Sequence, residues 1–218
     1  MRVERLREEF DVELEPFAYD LKPGLPPEGL PRDEVYAGRV YPPGYVDNMR
    51  EIARQSGIEM KRPAIMPNTR KAHEATEYAR DGGRLWEFHR ALFKAYWEDE
   101  RNIGDAEVLV DVASSCGLDG SGLQEALADG RYADRVREQM EWGQAAGVTG
   151  VPTTVFNERF AVVGARGRCD GSANDDLQRA VRGCRRAGLR GVRGHRAADR
   201  EREAEGGGLA AALGQADE

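Results

Sequence analysis

The spacing of apolar positions along this chain switches between helical and strand periods. Val3, Leu6 and Phe10 recur at helical intervals over one short stretch, which reads as the end of a helix. Val12-Glu13-Leu14-Glu15-Pro16-Phe17 then alternates with period two, predicting a strand whose Pro16 suits an edge or a strand end. Residues 20–44 are rich in Pro and Gly and predict a long loop. Helical spacing returns with Tyr45, Met49, Ile52 and Ala53, a segment closed by Gly57. A second helix over about 69–81 follows Pro67-Asn68, with Asn68 as its N-cap. A third over about 83–97 is aromatic, with Trp86, Phe88, Phe93, Tyr96 and Trp97 set around Leu85, Ala91 and Leu92. A fourth runs from an Asp105 cap through Val108, Leu109 and Val112 to Gly117.

A helical pair covers about 121–146. Ser121 and Gln124 have capping-box spacing, Tyr132, Val136 and Met140 form the apolar stripe, and Gly147 closes the pair in a left-handed turn. Period two then reappears. Thr153-Thr154-Val155-Phe156, a turn at Asn157-Glu158-Arg159, and Phe160-Ala161-Val162-Val163-Gly164 predict a hairpin. A last helix is expected over about 174–183. Helix end, strand, helical block, hairpin, helix is the order of an α/β fold that carries a helical insertion.

Composition sharpens the boundaries and narrows the chemistry. All 16 aromatic residues fall between Phe10 and Phe160. Residues 183–218, made mainly of Arg, Gly, Ala and Glu, have too few large apolar groups to offset their ordering entropy and read as a disordered tail. The formal net charge of −7 is spread along the 218 residues, which argues against nucleic-acid binding, since a phosphate binder needs a basic face. No apolar run approaches the roughly 18 residues of a membrane span. The charged start Met-Arg-Val-Glu-Arg-Leu-Arg lacks the apolar stretch of a signal peptide, so a cytoplasmic protein is expected. Cys116, Cys169 and Cys184 lie too far apart for a Cys-x-x-Cys pair or a zinc knuckle, and no metal site is expected. Cys116 ends a helix and reads as a packed structural thiol. His73 and His89 fall on different helices with no carboxylate and thiol arranged to form a triad.

The sharpest motif is Gly147-Val148-Thr149-Gly150-Val151-Pro152-Thr153-Thr154-Val155-Phe156-Asn157, followed by Arg159-Phe160-Ala161-Val162-Val163-Gly164-Ala165. It resembles the C-terminal half of the DsbA-like thioredoxin family, in which a Gly-Val-Pro-Thr segment with a cis proline opens strand three. Phe17 to Pro23 is similar to the family's second strand and the loop after it. Pro67-Asn68-Thr69-Arg70-Lys71-Ala72-His73 and Trp86-Glu87-Phe88-His89-Arg90-Ala91-Leu92-Phe93 resemble its helical insertion. Within the family the chain looks most like the FrnE-like dithiol-disulfide oxidoreductases, with the 2-hydroxychromene-2-carboxylate isomerase and kappa glutathione transferase branch nearby.

The resemblance covers about residues 1–182. It implies a thioredoxin fold with parts at about 1–20 and 147–182 and an all-helical insertion, about 44–146, between strands two and three. It also implies thiol–disulfide exchange, in which one cysteine attacks a substrate disulfide, a second resolves the mixed disulfide, and the cis-proline loop holds the substrate. The substrate-binding residues would be Thr149, Gly150, Val151, Pro152 and Thr153, with Val151 N–H and C=O pairing strand-fashion with an extended peptide or glutathione. Thiols or disulfides, peptide or glutathione, are the partners implied. Glutathione would serve as a co-substrate, and no bound cofactor is expected.

The chain departs from the family pattern in two places. The family opens with a strand and then Cys-x-x-Cys at the N-terminus of the first helix. There the helix terminus and partner thiol lower a cysteine pKa from about 8.5 to as low as about 3.5. Met1-Arg2-Val3-Glu4-Arg5-Leu6 resembles the latter half of that helix, so the first strand and the motif are missing and no residue inherits the nucleophile's role. The expectation is that Met1 is a misassigned or internal start, with roughly 15 to 20 residues upstream, and that the chain as given is inactive. After Ala165, the small polar run Arg166 to Asn174 replaces the entry to the family's last helix, as a reading-frame change would. Three readings follow: a thiol-disulfide oxidoreductase or isomerase, a glutathione-dependent isomerase or transferase with Ser in place of the first Cys, and a non-catalytic binding remnant.

Overall fold

The computed structural model describes residues 12–55, 57–156 and 160–163. Two units divide the chain: Asp20–Met140, and the flanking segments Met1–Tyr19 and Glu141–Glu218. The first unit holds, in chain order, β1 (Leu30–Pro31), α1 (Arg32–Val35), α2 (Tyr45–Gln55), β2 (Ile65–Met66), α3 (Arg70–Asp81), α4 (Leu85–Trp97), α5 (Ala106–Ser115), α6 (Gly120–Asp129) and the larger part of α7 (Ala133–Ala145).

Small side chains at helical spacing organise this unit. Ala72, Ala75 and Ala79 fall on one face of α3 and are buried, which lets neighbouring helices approach that face. Phe88, Leu92, Ala95 and Tyr96 of α4, Leu109, Val112 and Ala113 of α5, and Leu123 of α6 complete the core with Ile103. Glu77 is buried on the same helix as the alanines. Arg80 and Arg135 reach its carboxylate at 3.0 and 3.5 Å, so the charge is paired rather than stranded.

The helix ends follow local chemistry. Asp105 caps α5 as the sequence predicts, its side chain accepting from Glu107 N–H at 3.0 Å. Asn68 accepts from Arg70 N–H at 3.0 Å at the start of α3. The expected Ser121 cap moves two residues upstream. The Asp119 carboxylate accepts from both the Ser121 hydroxyl at 2.7 Å and the Ser121 N–H at 3.0 Å, and α6 begins at Gly120. Those bonds, the hydroxyl's above all, hold the Asp119 carboxyl below its ordinary range.

Three further expectations need correction. Residues 20–44 are not loop throughout, because β1 and α1 lie within them. β1 pairs antiparallel with β2, Leu30 opposite Met66 and Pro31 opposite Ile65, so the insertion expected over about 44–146 is not all-helical: β2 lies within it. Arg32 fastens this corner, donating to Pro63 O at 2.7 Å and to the Tyr96 hydroxyl at 2.5 Å. The alternating segment Val12–Phe17 is not a strand, since it has no ladder partner among the described residues. Alternation predicts which side chains share a face, but only a neighbouring backbone makes the ladder.

In the second unit, β3 (Thr153–Phe156) and β4 (Phe160–Val163) form the predicted hairpin, with Thr153 opposite Val163 and Phe156 opposite Phe160. The turn at 157–159, the helix expected over 174–183, the tail 183–218, Cys169 and Cys184 lie outside the described residues.

Phe88 is fully buried in the helical core. Phe88→Ala is expected to lower unfolding free energy by about 3–5 kcal/mol, read from urea denaturation. A change below about 1 kcal/mol would mean that the α4 face is not the core described.

Candidate functional site

The loop before the hairpin begins with the way α7 stops. Gly147 takes φ +71°, a left-handed conformation that a side chain disfavours. Gly147 N–H then donates to Gln144 O at 3.0 Å and Val148 N–H to Gly143 O at 2.9 Å, the paired bonds of a Schellman end. Orphan carbonyls of the last turn are thereby satisfied, and the chain leaves the helix in a set direction.

From there the five predicted residues Thr149, Gly150, Val151, Pro152 and Thr153 lie together in one short connection. The Val151–Pro152 bond is cis. Thr149 and Pro152 are exposed, and Val151 is 48% exposed, high for an aliphatic side chain. Thr153 turns back to donate its hydroxyl to Gly150 O at 2.7 Å, closing the loop at the start of β3. Among the described residues neither backbone group of Val151 has a hydrogen-bond partner. The loop therefore offers one donor and one acceptor, unpaired among the described residues, beside the end of an antiparallel hairpin.

Residues that sequence patterning did not assign support this loop. Tyr19 donates its hydroxyl to Val148 O at 2.5 Å. Phe17 packs its ring against Trp142, centroids 5.0 Å apart. The aromatic pair at Phe17 and Tyr19, two residues apart, was the available signal, since extended backbone places such residues on one face.

The other reactive residues lie in the helical unit. Cys116, the C-cap of α5, is partly buried, and its Sγ is 3.9 Å from Ser115 Oγ. His73 contacts Thr69 Oγ1 at 3.4 Å. His89 lies edge-on to Phe93 and Trp86, and its buried Nδ1 lacks a hydrogen-bond partner. Burial pushes His73 down to about 4, and its neighbour His89 adds to that while Asp20 opposes it. His89 is likewise lowered by burial, with Arg80 adding to the effect. Rings that burial keeps neutral fit packing better than proton transfer near neutrality. No group of three metal-ligating side chains forms among the described residues, and no helix among them is long and apolar enough to cross a membrane.

The folded state keeps His73 neutral down to about pH 4, whereas the unfolded chain protonates it near 6.5. The unfolded state thus binds more protons between those values, and stability falls as pH falls through that window. The expected contribution is on the order of 2–3 kcal/mol. Thermal melts of the parent and His73→Gln should diverge in slope from pH 6.5 to 4, the variant losing less. Parallel curves would contradict the buried neutral ring.

Comparison with known proteins places this geometry in context. The model of a family described as the DSBA-like thioredoxin domain matches residues 1–170. The crystal structure of a probable DsbA oxidoreductase from Streptomyces coelicolor superposes with a TM-score of 0.75 at 26% identity, covering 87% of this chain and 83% of that one. A 2-hydroxychromene-2-carboxylate isomerase shares the fold at 20% identity and a TM-score of 0.59, covering 86% of this chain and 89% of that one. The uncharacterized protein YwbO of Bacillus subtilis is 27% identical over 161 residues, 72% of this chain and 78% of that protein. The expected α/β architecture, a thioredoxin fold with a helical region, agrees with these matches.

Proposed function

Because the chain belongs to the DSBA-like thioredoxin family, we propose that its 149–153 loop holds a thiol or disulfide substrate for thiol–disulfide exchange. The observation that carries this reading is Val151, exposed and without a backbone hydrogen-bond partner among the described residues, just before the β3–β4 hairpin. An extended peptide, or the peptide-like backbone of glutathione, would add to it strand-fashion, N–H to C=O and C=O to N–H.

The exchange itself needs two thiols. One thiolate attacks a sulfur of the substrate disulfide and expels the other sulfur as a thiolate. The second thiol, deprotonated, then attacks the mixed disulfide, releasing reduced substrate and leaving a protein disulfide. Thus the substrate gains two electrons and the protein pair loses them. Cys116, Cys169 and Cys184 do not form a Cys-x-x-Cys pair, so the loop supplies substrate binding without a nucleophile beside it in sequence. The chain as given is therefore proposed to bind but not to turn over.

Titration of the labelled chain with reduced glutathione, followed by amide chemical shifts, should perturb Thr149, Gly150, Val151 and Thr153 first. Insulin reduction by the same sample should match the uncatalysed rate. Binding that perturbs only the helical unit would overturn the site, and catalytic turnover would show that a cysteine present in the chain serves as nucleophile.

A further inference from the structure

Resting on that reading of the loop, we propose that Tyr19 is the positioning residue of the substrate-binding segment. Its hydroxyl fixes Val148 and so sets where Thr149 to Thr153 present themselves. Val148 is the last residue before the predicted site, and both of its backbone groups are engaged. Its N–H belongs to the helix end through Gly143 O, and its C=O accepts from Tyr19 at 2.5 Å. With Thr153 bonded to Gly150 O at the far side, the exposed Val151 sits between two tethers.

The seat of the Tyr19 ring is equally specific. Gly143 is buried, and a Cβ placed on it would come within 3.0 Å of Tyr19 Cδ2. The ring therefore lies directly on the helix backbone one turn before the chain leaves it, close enough for the hydroxyl to reach the Val148 carbonyl. A bulkier residue at 143 would lift the ring and lengthen that bond. Phe17, packed on Trp142, anchors the same segment two residues earlier.

This arrangement has a consequence for binding. A loop that is free in the unbound protein must be ordered when an extended ligand pairs with it, and that cost subtracts from affinity. Tethering Val148 imposes the order in advance. The Tyr19 hydroxyl acts through the loop and touches no substrate, so its loss should appear in affinity and in loop protection rather than in global folding.

The experiment compares the full-length parent with Tyr19→Phe, which keeps the ring and removes the hydroxyl, and Tyr19→Leu, which removes both. Amide exchange at Val148 and the dissociation constant for reduced glutathione are measured on each. In Tyr19→Phe, Val148 exchange should accelerate and glutathione affinity fall, each roughly three- to tenfold, the range of one lost hydrogen bond. Exchange at Leu109 and Leu123 in the helical core should stay unchanged. Parent-like values of both readouts in Tyr19→Phe, with losses only in Tyr19→Leu, would reduce the role to ring packing and overturn the proposal. Should the parent fail to bind glutathione, the substrate reading falls, while Val148 exchange in Tyr19→Phe still decides whether the hydroxyl holds the loop.

Discussion

The C-terminal end of α7 is a junction of three backbone demands, and Val148 is where they meet. A helix must satisfy its last carbonyls, the chain must change direction toward a strand, and the departing segment must not swing freely. Gly147 in the left-handed region lets Val148 N–H turn back to Gly143 O, and the Tyr19 hydroxyl then captures Val148 O. With one residue held by both groups, the direction of the following loop is determined before β3 begins. Val151 lies between this tether and the Thr153 bond to Gly150 O, and its own backbone has no partner among the described residues.

The helical unit is stabilised by different means. Its core is built from alanines and large apolar side chains in complementary positions, and the buried Glu77 carboxylate is answered by two arginines. Tyr132 and Arg135, at the start of α7, both bond Asp81 at the end of α3. These bonds fasten the N-terminal part of α7 to α3 within the helical unit.

Legibility from sequence followed the range of the interactions involved. The hairpin, the Asp105 cap and the left-handed Gly147 are written in neighbouring residues and appear where the patterns predict. Five candidate residues, Thr149 to Thr153, are contiguous, so the motif names them together and the fold keeps them in one connection. The misses are contacts between distant positions or close competitors. Asp119 displaces Ser121 because a carboxylate accepts from two donors at once. The pairing of Leu30 with Met66 spans 36 residues that contain Pro and Gly, and composition reads such a stretch as loop. Val12–Phe17 alternates without finding a ladder among the described residues. The Tyr19 bond to Val148 crosses 129 positions, beyond any local pattern, and the buried Nδ1 of His89 reflects its surroundings rather than its sequence neighbours.

The most direct test of the central claim is a crystal structure of this chain with reduced glutathione bound. The account predicts an extended ligand lying along the loop, its backbone within hydrogen-bond distance of Val151 N–H and C=O, and Val148 still held by Tyr19. A ligand seated elsewhere with the Val151 backbone left to solvent, or one bound only after the Tyr19–Val148 bond has opened, would contradict it.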